Sequence, residues 1–220
     1  FGGWNANAAG TGTNYTVGQK YTSFTASTTV YAKWTANTYT VTYDGNGATG
    51  GSTASSTHTY GVEKALTANG YTREYTVTYN YNGSGAENTQ DKATYTFKNW
   101  NTNADGTGDT YTDKQEVKNL ANTAGATVKL FAQWNSDSVT LPTPTRSGYG
   151  FAGWYDAATG GNKVADGGAV YTPTANKTLY AHWTTNSYTV TYNYAENGGT
   201  NKYQTAGTEI YRDRSDTARI

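Results

Sequence analysis

Asn101, Asn103, Asp105 and Asp109 stand at odd spacing around Asp105-Gly106, the pattern in which a hard cation finds side-chain oxygens wrapped about a sharp turn. Calcium is the cation such a loop takes. Its twelfth position, however, is Thr112 rather than a bidentate Glu. The related stretches Asn5-Ala-Asn-Ala-Ala-Gly10 and Asp156-Ala-Ala-Thr-Gly160 lose most or all of the carboxylates. The same residues therefore also read as a hairpin turn, and that reading is preferred. His58 and His182 fall on predicted strands without a carboxylate cluster beside them, and His182 shares its slot with Lys33 and Gln133, which places it toward solvent. The chain has no Cys, which excludes thiolate metal sites and disulfides. Gly45-Asn-Gly47 and Gly83-Ser-Gly85 are not phosphate loops, because no Lys-Ser/Thr or helix start follows. No Ser/His/Asp arrangement or pair of acids suggests acid–base or nucleophilic work. The expectation is a non-enzyme without a cofactor. Tyr15, Tyr111 and Tyr171 are surplus to a core and offer a sugar-stacking platform, which keeps a glycan-binding module as the second reading.

Stepping from these residues to the whole chain, 16 Lys and Arg balance 16 Asp and Glu among 220 residues. That balance leaves no electrostatic footprint for nucleic acid or an anionic membrane. No apolar run is long enough to insert into a bilayer. Without Cys or Met there is nothing on the sulfur oxidation ladder, which fits an exposed extracellular life. The chain begins without Met and inside a repeat, so a fragment of a longer protein is expected. Six Trp, 21 Tyr and 26 Gly point to strands joined by tight turns and to small aromatic-dense cores.

Three motifs recur. The first is Tyr39-Thr-Val-Thr-Tyr43, Tyr75-Thr-Val-Thr-Tyr79 and Tyr188-Thr-Val-Thr-Tyr192, whose alternation is that of a half-buried strand. The second is Phe1-Gly-Gly-Trp4, Phe97-Lys-Asn-Trp100 and Phe151-Ala-Gly-Trp154. The third is Val30-Tyr-Ala-Lys-Trp34, Leu130-Phe-Ala-Gln-Trp134 and Leu179-Tyr-Ala-His-Trp183. A fixed order of motifs marks a repeat array. Trp4, Trp100 and Trp154 are expected to pack with Trp34, Trp134 and Trp183 as module cores. Helical turns are predicted at 62–66, ended by Asn69-Gly70, and at 113–121, where Asp113 would cap and Val117, Leu120 and Ala121 share one face.

Residues 1–34 read as the second half of a unit, 38–74 as a first half, 75–134 as a complete unit, 135–183 as a second half and 187–220 as a first half with a hairpin tip at Asn197-Gly-Gly199. Nesting is the economical arrangement: 75–134 is inserted, and 38–74 pairs with 135–183, so that 39–43 should meet 179–183. The ends then suggest that 187–220 of one molecule completes residues 1–34 of a neighbour, a head-to-tail contact that propagates as a fibre.

The order Tyr-Thr-Val-Thr-Tyr-Asp-Gly-Asn-Gly, then Pro-Thr-Arg-Ser-Gly-Tyr-Gly-Phe-Ala-Gly-Trp-Tyr, then Leu-Tyr-Ala-His-Trp resembles the Listeria-Bacteroides repeat, the B-repeat of internalin-type bacterial surface proteins. The shuffled half-units and the tail Tyr211-Arg-Asp-Arg-Ser-Asp216 depart from it. The resemblance implies β-rich α+β architecture: tandem small β-grasp-like modules with mixed or antiparallel sheets and one short helix each. It further implies a place outside the bacterial cell, at the cell wall or in a surface fibre, as a stalk between an adhesive head and its anchor. Its implied partners are adjacent repeats or copies of itself, with a host or surface glycan or protein as ligand. It carries no catalytic residues.

Overall fold

The computed structural model describes residues 1–192 and 202–206; the predicted tip Asn197-Gly-Gly199 and the tail 207–220 lie outside the described residues. In chain order the strands are β1 (Gly3–Asn5), β2 (Asn14–Tyr15), β3 (Tyr31–Lys33), β4 (Thr38–Asp44), β5 (Gly50–Gly51), β6 (Ser56–Thr59) and β7 (Lys64–Ala65). They continue as β8 (Tyr71–Asn80), β9 (Thr89–Asn101), β10 (Thr110–Tyr111), β11 (Glu116–Val117), β12 (Thr127–Asn135) and β13 (Val139–Thr140). The last are β14 (Tyr149–Tyr155), β15 (Lys163–Ala165), β16 (Val170–Tyr171), β17 (Lys177–Thr185), β18 (Tyr188–Tyr192) and β19 (Lys202–Ala206).

No helix occurs among the described residues, which corrects the α+β expectation of a β-grasp-like module with one short helix. Both predicted helical segments are extended and pair with each other: β7 runs antiparallel to β11, with Ala65 opposite Glu116 and Lys64 opposite Val117. The reason is local. An isolated nine-residue helix is too short to hold itself together, and Asp113 spends its carboxylate on the backbone N–H of Asn69, not on its own first turn. Lys114 and Asn119 take positive φ, 57° and 59°, which breaks any helical run between them. Val117 is buried in a core formed by the extended chain, so its spacing with Leu120 and Ala121 was a coincidence of contact and not a helical face.

The chain divides into two units, Phe1–Thr72 with Phe97–Trp134, and Arg73–Thr96 with Asn135–Ile220. In unit 1 the alternation along β4 buries Tyr39, Val41 and Tyr43 and turns Thr to the other face. β4 lies parallel to β12, with Val41 beside Val128 and Tyr43 beside Leu130. On its other side it meets β6, where Tyr39 faces His58. Tyr39, Val41, Tyr43, Leu66, Trp100 and Leu130 form the centre of one buried cluster, with Tyr71, Phe97 and Trp134 packed against it.

Unit 2 repeats the plan. β8 lies parallel to β17, with Tyr79 beside Leu179, and β17 runs antiparallel to β14, with Trp154 opposite Ala181. β9 pairs antiparallel with β8 from Arg73–Tyr95 to Tyr79–Thr89. Val77, Tyr79, Tyr95, Leu141, Trp154 and Leu179 are among its buried apolar residues.

The nested arrangement is therefore corrected: residues 40–44 pair with 127–131, the strand that carries Leu130, and 177–180 lie beside 77–80. First and second halves are interlaced. In unit 2 the motif Tyr149-Gly150-Phe151 is continuous; in unit 1 its counterpart is Tyr71-Thr72, broken by 73–96 and resumed at Phe97. The interruption is an antiparallel hairpin whose stems, Arg73 and Tyr95, are cross-strand partners. A hairpin leaves and returns about 5 Å apart, so the host strand motif is split at little cost in loop closure.

Residues 1–34 form a separate three-stranded sheet, β2-β1-β3. Its register, Gly3 with Lys33 and Trp4 with Ala32, matches that of Gly153 with His182 and Trp154 with Ala181. Among the described residues no strand lies along the outer edge of β3, and β18 pairs with β19 alone.

Candidate functional site: the clasp between half-units

Each complete module is closed by the same set of contacts. A Phe bridges two Trp rings: Phe97 lies 5.0 Å from Trp100 and 6.0 Å from Trp134, and Phe151 lies 5.5 Å from both Trp154 and Trp183. The Trp residues thus meet through Phe and not directly. The first half then covers the central Trp with tyrosines. Tyr43 stands 4.7 Å from Trp100 and Tyr71 6.3 Å; Tyr79 stands 5.2 Å from Trp154 and Tyr81 5.7 Å. Trp100 and Trp154 have no exposure left. Such edge-on and tilted pairs contribute about 0.5–1.5 kcal/mol each beyond the area they bury.

Polar groups lock the two halves together in the same way twice. The Trp134 indole N–H donates to the carbonyl of Gly45 at 3.0 Å, and that of Trp183 to the carbonyl of Tyr81 at 3.2 Å. The next residue in each turn is an Asn with positive φ, Asn46 at 46° and Asn82 at 45°, a conformation Asn tolerates better than most residues. That backbone aims the side chain across the joint. Asn46 Nδ2 donates to the carbonyls of Ala104 and Ala132 at 2.7 and 2.9 Å, and Asn82 Nδ2 to those of Ala158 and Ala181 at 2.9 and 3.1 Å. In the sequence both Asn read as turn residues and no more, although each follows a Tyr-Thr-Val-Thr-Tyr strand at the same offset and that offset was the available signal for a shared contact.

The expected calcium ligands form the turn after Trp100. Asn101, 1% exposed, accepts the N–H groups of Asn103 and Gly108 through Oδ1 at 2.8 and 3.0 Å, and donates through Nδ2 to the carbonyls of Gly106 and Gly108. Asp105 accepts from the backbone and hydroxyl of Thr107, which hold its carboxyl below the usual range. Asn103 donates to Thr107 Oγ1, and Asp109 is exposed. The side-chain oxygens of Asn101 and Asp105 are engaged by donors of the turn itself. Asn5 repeats this web with Asn7, Gly10 and Gly12 in a turn that has no acid. Among the described residues no three His, Asp or Glu side chains gather to hold a metal ion.

Both histidines are structural contacts. His58 is 1% exposed, bonds Ser56 Oγ through Nε2 at 2.9 Å and stacks on Tyr39, and its burial, with Lys64 nearby, lowers its pKa from 6.5. His182 is half-buried, not solvent-facing: it stacks on Tyr155 at 3.8 Å and bonds the Ala157 carbonyl. Lys129 sits 2.7 Å from Asp44 at the start of the unit 1 turn and draws that carboxyl below its ordinary pKa. Burial, then the bond to Asp91, raises the pKa of the Tyr79 hydroxyl. Tyr111 and Tyr171 are half-buried.

The copy at 1–34 has the same bridge without a cover. Phe1 lies 5.3 Å from Trp4 and 5.5 Å from Trp34. Trp4 and Trp34, expected in a core, are 41% and 73% exposed: among the described residues no Tyr-Thr-Val-Thr-Tyr strand pairs with β3. Beside them Tyr15, Val17, Tyr21, Phe24 and Val30 line, with Trp4, a shallow cavity of about 240 Å³.

Split halves, a Phe bridge between two Trp and a shared turn lock define an aromatic-cored repeat protein. A family model, the Listeria-Bacteroides repeat domain, matches residues 1–33 and 122–182. A protein of Evansella cellulosilytica named as a Gly-rich membrane protein is 28% identical over 236 residues, 90% of this chain and 23% of that protein. Internalin H of Listeria monocytogenes is 48% identical over 58 residues, 26% of this chain and 10% of its own length. A second Evansella cellulosilytica protein, named as a membrane protein, is 33% identical over 114 residues, 51% of this chain and 14% of its length. The chain thus spans less than a quarter of the length of each of these three relatives. No solved structure matches it.

Proposed function

We propose that this chain is a non-catalytic, extracellular repeat segment of a bacterial surface protein. It serves as a stalk or spacer at the cell wall or in a surface fibre, and its incomplete halves are completed head to tail by further repeats or further copies. The observation that carries this reading is how the aromatic residues are used: in both complete modules the Trp and Tyr rings are consumed in joining one half-unit to another. The match to a repeat-family model and the likeness to an internalin and to two proteins named for the membrane support the surface location. Brief protease treatment of intact producing cells, followed by antibody detection, tests the location. Epitopes of this segment should be lost from whole cells, and their survival until lysis would overturn the reading.

A glycan-binding module is the second reading, and the exposed rings of Trp4, Tyr21 and Phe24 favour it. Sugar-dependent quenching of tryptophan emission that disappears in Trp4→Ala would support that role.

A further inference from the structure

We propose that Asn46 and Asn82 are deamidation sites held unreactive by the joint they lock, so that a module whose halves part is converted to a form that cannot lock again. Each closed module carries this device by itself, whether or not the surface reading holds.

The chemistry begins in the sequence. Asn is followed by Gly at 46–47, 69–70, 82–83 and 197–198, the last outside the described residues. Gly has no Cβ, so its backbone nitrogen is unshielded and its backbone turns freely. In a loose chain that nitrogen, its proton taken by water or hydroxide, attacks Cγ of the Asn. A new N–C bond closes a five-membered succinimide, the Cγ–Nδ2 bond breaks, and the side-chain amide leaves as ammonia. Water then opens the ring to Asp or isoaspartate. One water enters for each ammonia lost, and no oxidant or reductant is needed. This chemistry is why Asn counts among the thermolabile residues.

Both closed modules put the pair at the same point. Asn46 Nδ2 is shared between the carbonyls of Ala104 and Ala132, and Asn82 Nδ2 between those of Ala158 and Ala181. These bonds hold the nitrogen that must leave, and turning Cγ toward the next backbone nitrogen breaks both. Their acceptors lie on the other half-unit, so the reaction waits on the joint. Gly47 and Gly83 are exposed, so water reaches the pair even when the module is closed. Asn69 is held differently. Its Nδ2 and Oδ1 both bond the backbone of Tyr71, and the Gly70 N–H donates to Thr53 Oγ1 at 2.9 Å. That lock lies within one half-unit, which makes Asn69 an internal control.

The product cannot restore the joint. An aspartate carboxylate has no N–H to donate and would face two carbonyl oxygens. Isoaspartate also lengthens the main chain by a methylene at a residue that already takes positive φ. With water in excess and ammonia dilute the step runs one way. The pair therefore records how long the halves have been apart.

The full-length chain is incubated at mildly alkaline pH in buffer and in guanidinium chloride, then cut after Lys33, Lys64, Arg73 and Lys92, which places Asn46, Asn69 and Asn82 in separate peptides. Mass spectrometry counts amide-to-acid conversion at each; Asp44-Gly45 can isomerise but only without a change in mass. All three should convert in denaturant, with Asn46 and Asn82 at least about ten-fold slower in the folded chain, since two bonds close each joint. Equal rates in the folded and unfolded chain overturn the proposal. Trp134→Phe removes the indole bond to Gly45 beside Asn46, and Trp183→Phe removes the bond to Tyr81 beside Asn82. Losing one such bond shifts an opening equilibrium about five-fold. Trp134→Phe should speed Asn46 by that factor relative to Asn69 and leave Asn82 unchanged, and Trp183→Phe should speed Asn82 alone. A rise at Asn69 equal to that at Asn46, or one variant speeding both joints alike, would mean that general loosening gates the reaction and overturns the proposal. Asn46→Asp and Asn82→Asp reproduce the product, and each should lower the denaturant midpoint of its own unit. Midpoints equal to those of the unaltered chain would overturn the loss of the lock.

Discussion

Trp100 and Trp154 occupy equivalent buried positions but differ at one atom. The Trp154 indole N–H donates to the carbonyl of Pro142 at 2.8 Å, whereas that of Trp100 has no acceptor. A buried donor without a partner costs roughly 1–3 kcal/mol and a made bond contributes about 1. Replacement by Phe should therefore destabilise unit 2 about 2 kcal/mol more through Trp154→Phe than unit 1 through Trp100→Phe. Urea unfolding of each variant checks this, and equal losses would show that ring volume alone decides. His58 gives a second test at this scale. Burial lowers its folded pKa below 6.5, so between that folded value and 6.5 the unfolded chain takes up a proton that the folded chain refuses. Stability must fall as the pH drops through this window and level off below it, at no more than about 1.4 kcal/mol per pH unit. Urea midpoints at about pH 7 and about pH 5 should converge in His58→Gln. The rings at these positions were legible as recurring letters. The partners of their polar atoms were not, because a carbonyl acceptor such as Pro142 is supplied by backbone placement and leaves no trace in residue type.

At the scale of elements, strands carrying Tyr-Thr-Val-Thr-Tyr were legible because burial on one face forces alternation. The β7–β11 ribbon was not. Its strands are two residues each, too short for a period of two to outcompete a chance match to helical spacing. Lys114 distinguishes the two descriptions by sign. In an exposed helix Lys114→Gly would cost about 1 kcal/mol. At φ 57° the side chain is itself the strained choice, and glycine relieves a left-handed cost of about 1–2 kcal/mol while adding about 0.5–1 in chain entropy. Lys114→Gly is thus expected to leave unit 1 unchanged or more stable by up to about 1 kcal/mol, read from its thermal midpoint. A clear loss would restore the helical description. The calcium-like turn belongs to this scale too: Asn101 and Asn5 fold their loops with the same internal bonds whether or not acids follow, so spacing alone mimicked a cation loop.

At the scale of the molecule the half-units were visible in the sequence, but their partnership was not, since strand order is set by which buried faces match and not by which copies are adjacent. One signal did mark the splice. Leu66, Gly70 and Tyr71 parallel Leu141, Gly148 and Tyr149, and after Thr72 the expected Phe is postponed to Phe97. If 73–96 is an insertion into unit 1, removing it and joining Thr72 to Phe97 recreates the Tyr149-Gly150-Phe151 spacing. That deletion takes no residue from the buried cluster of Tyr39, Val41, Tyr43, Leu66, Trp100 and Leu130, so unit 1 should retain a cooperative unfolding transition with Trp100 shielded. It takes Val77 and Tyr79 from unit 2 and with them the parallel partner of β17, so Trp154 should become accessible. Tryptophan quenching by a neutral quencher, compared with single Trp100→Phe and Trp154→Phe versions of the deleted chain, separates the two environments. Exposure of Trp154 alone is the expected result. Exposure of both would mean that the hairpin carries part of the unit 1 core, and shielding of both would mean that residues 135–183 close over Trp154 without a first half.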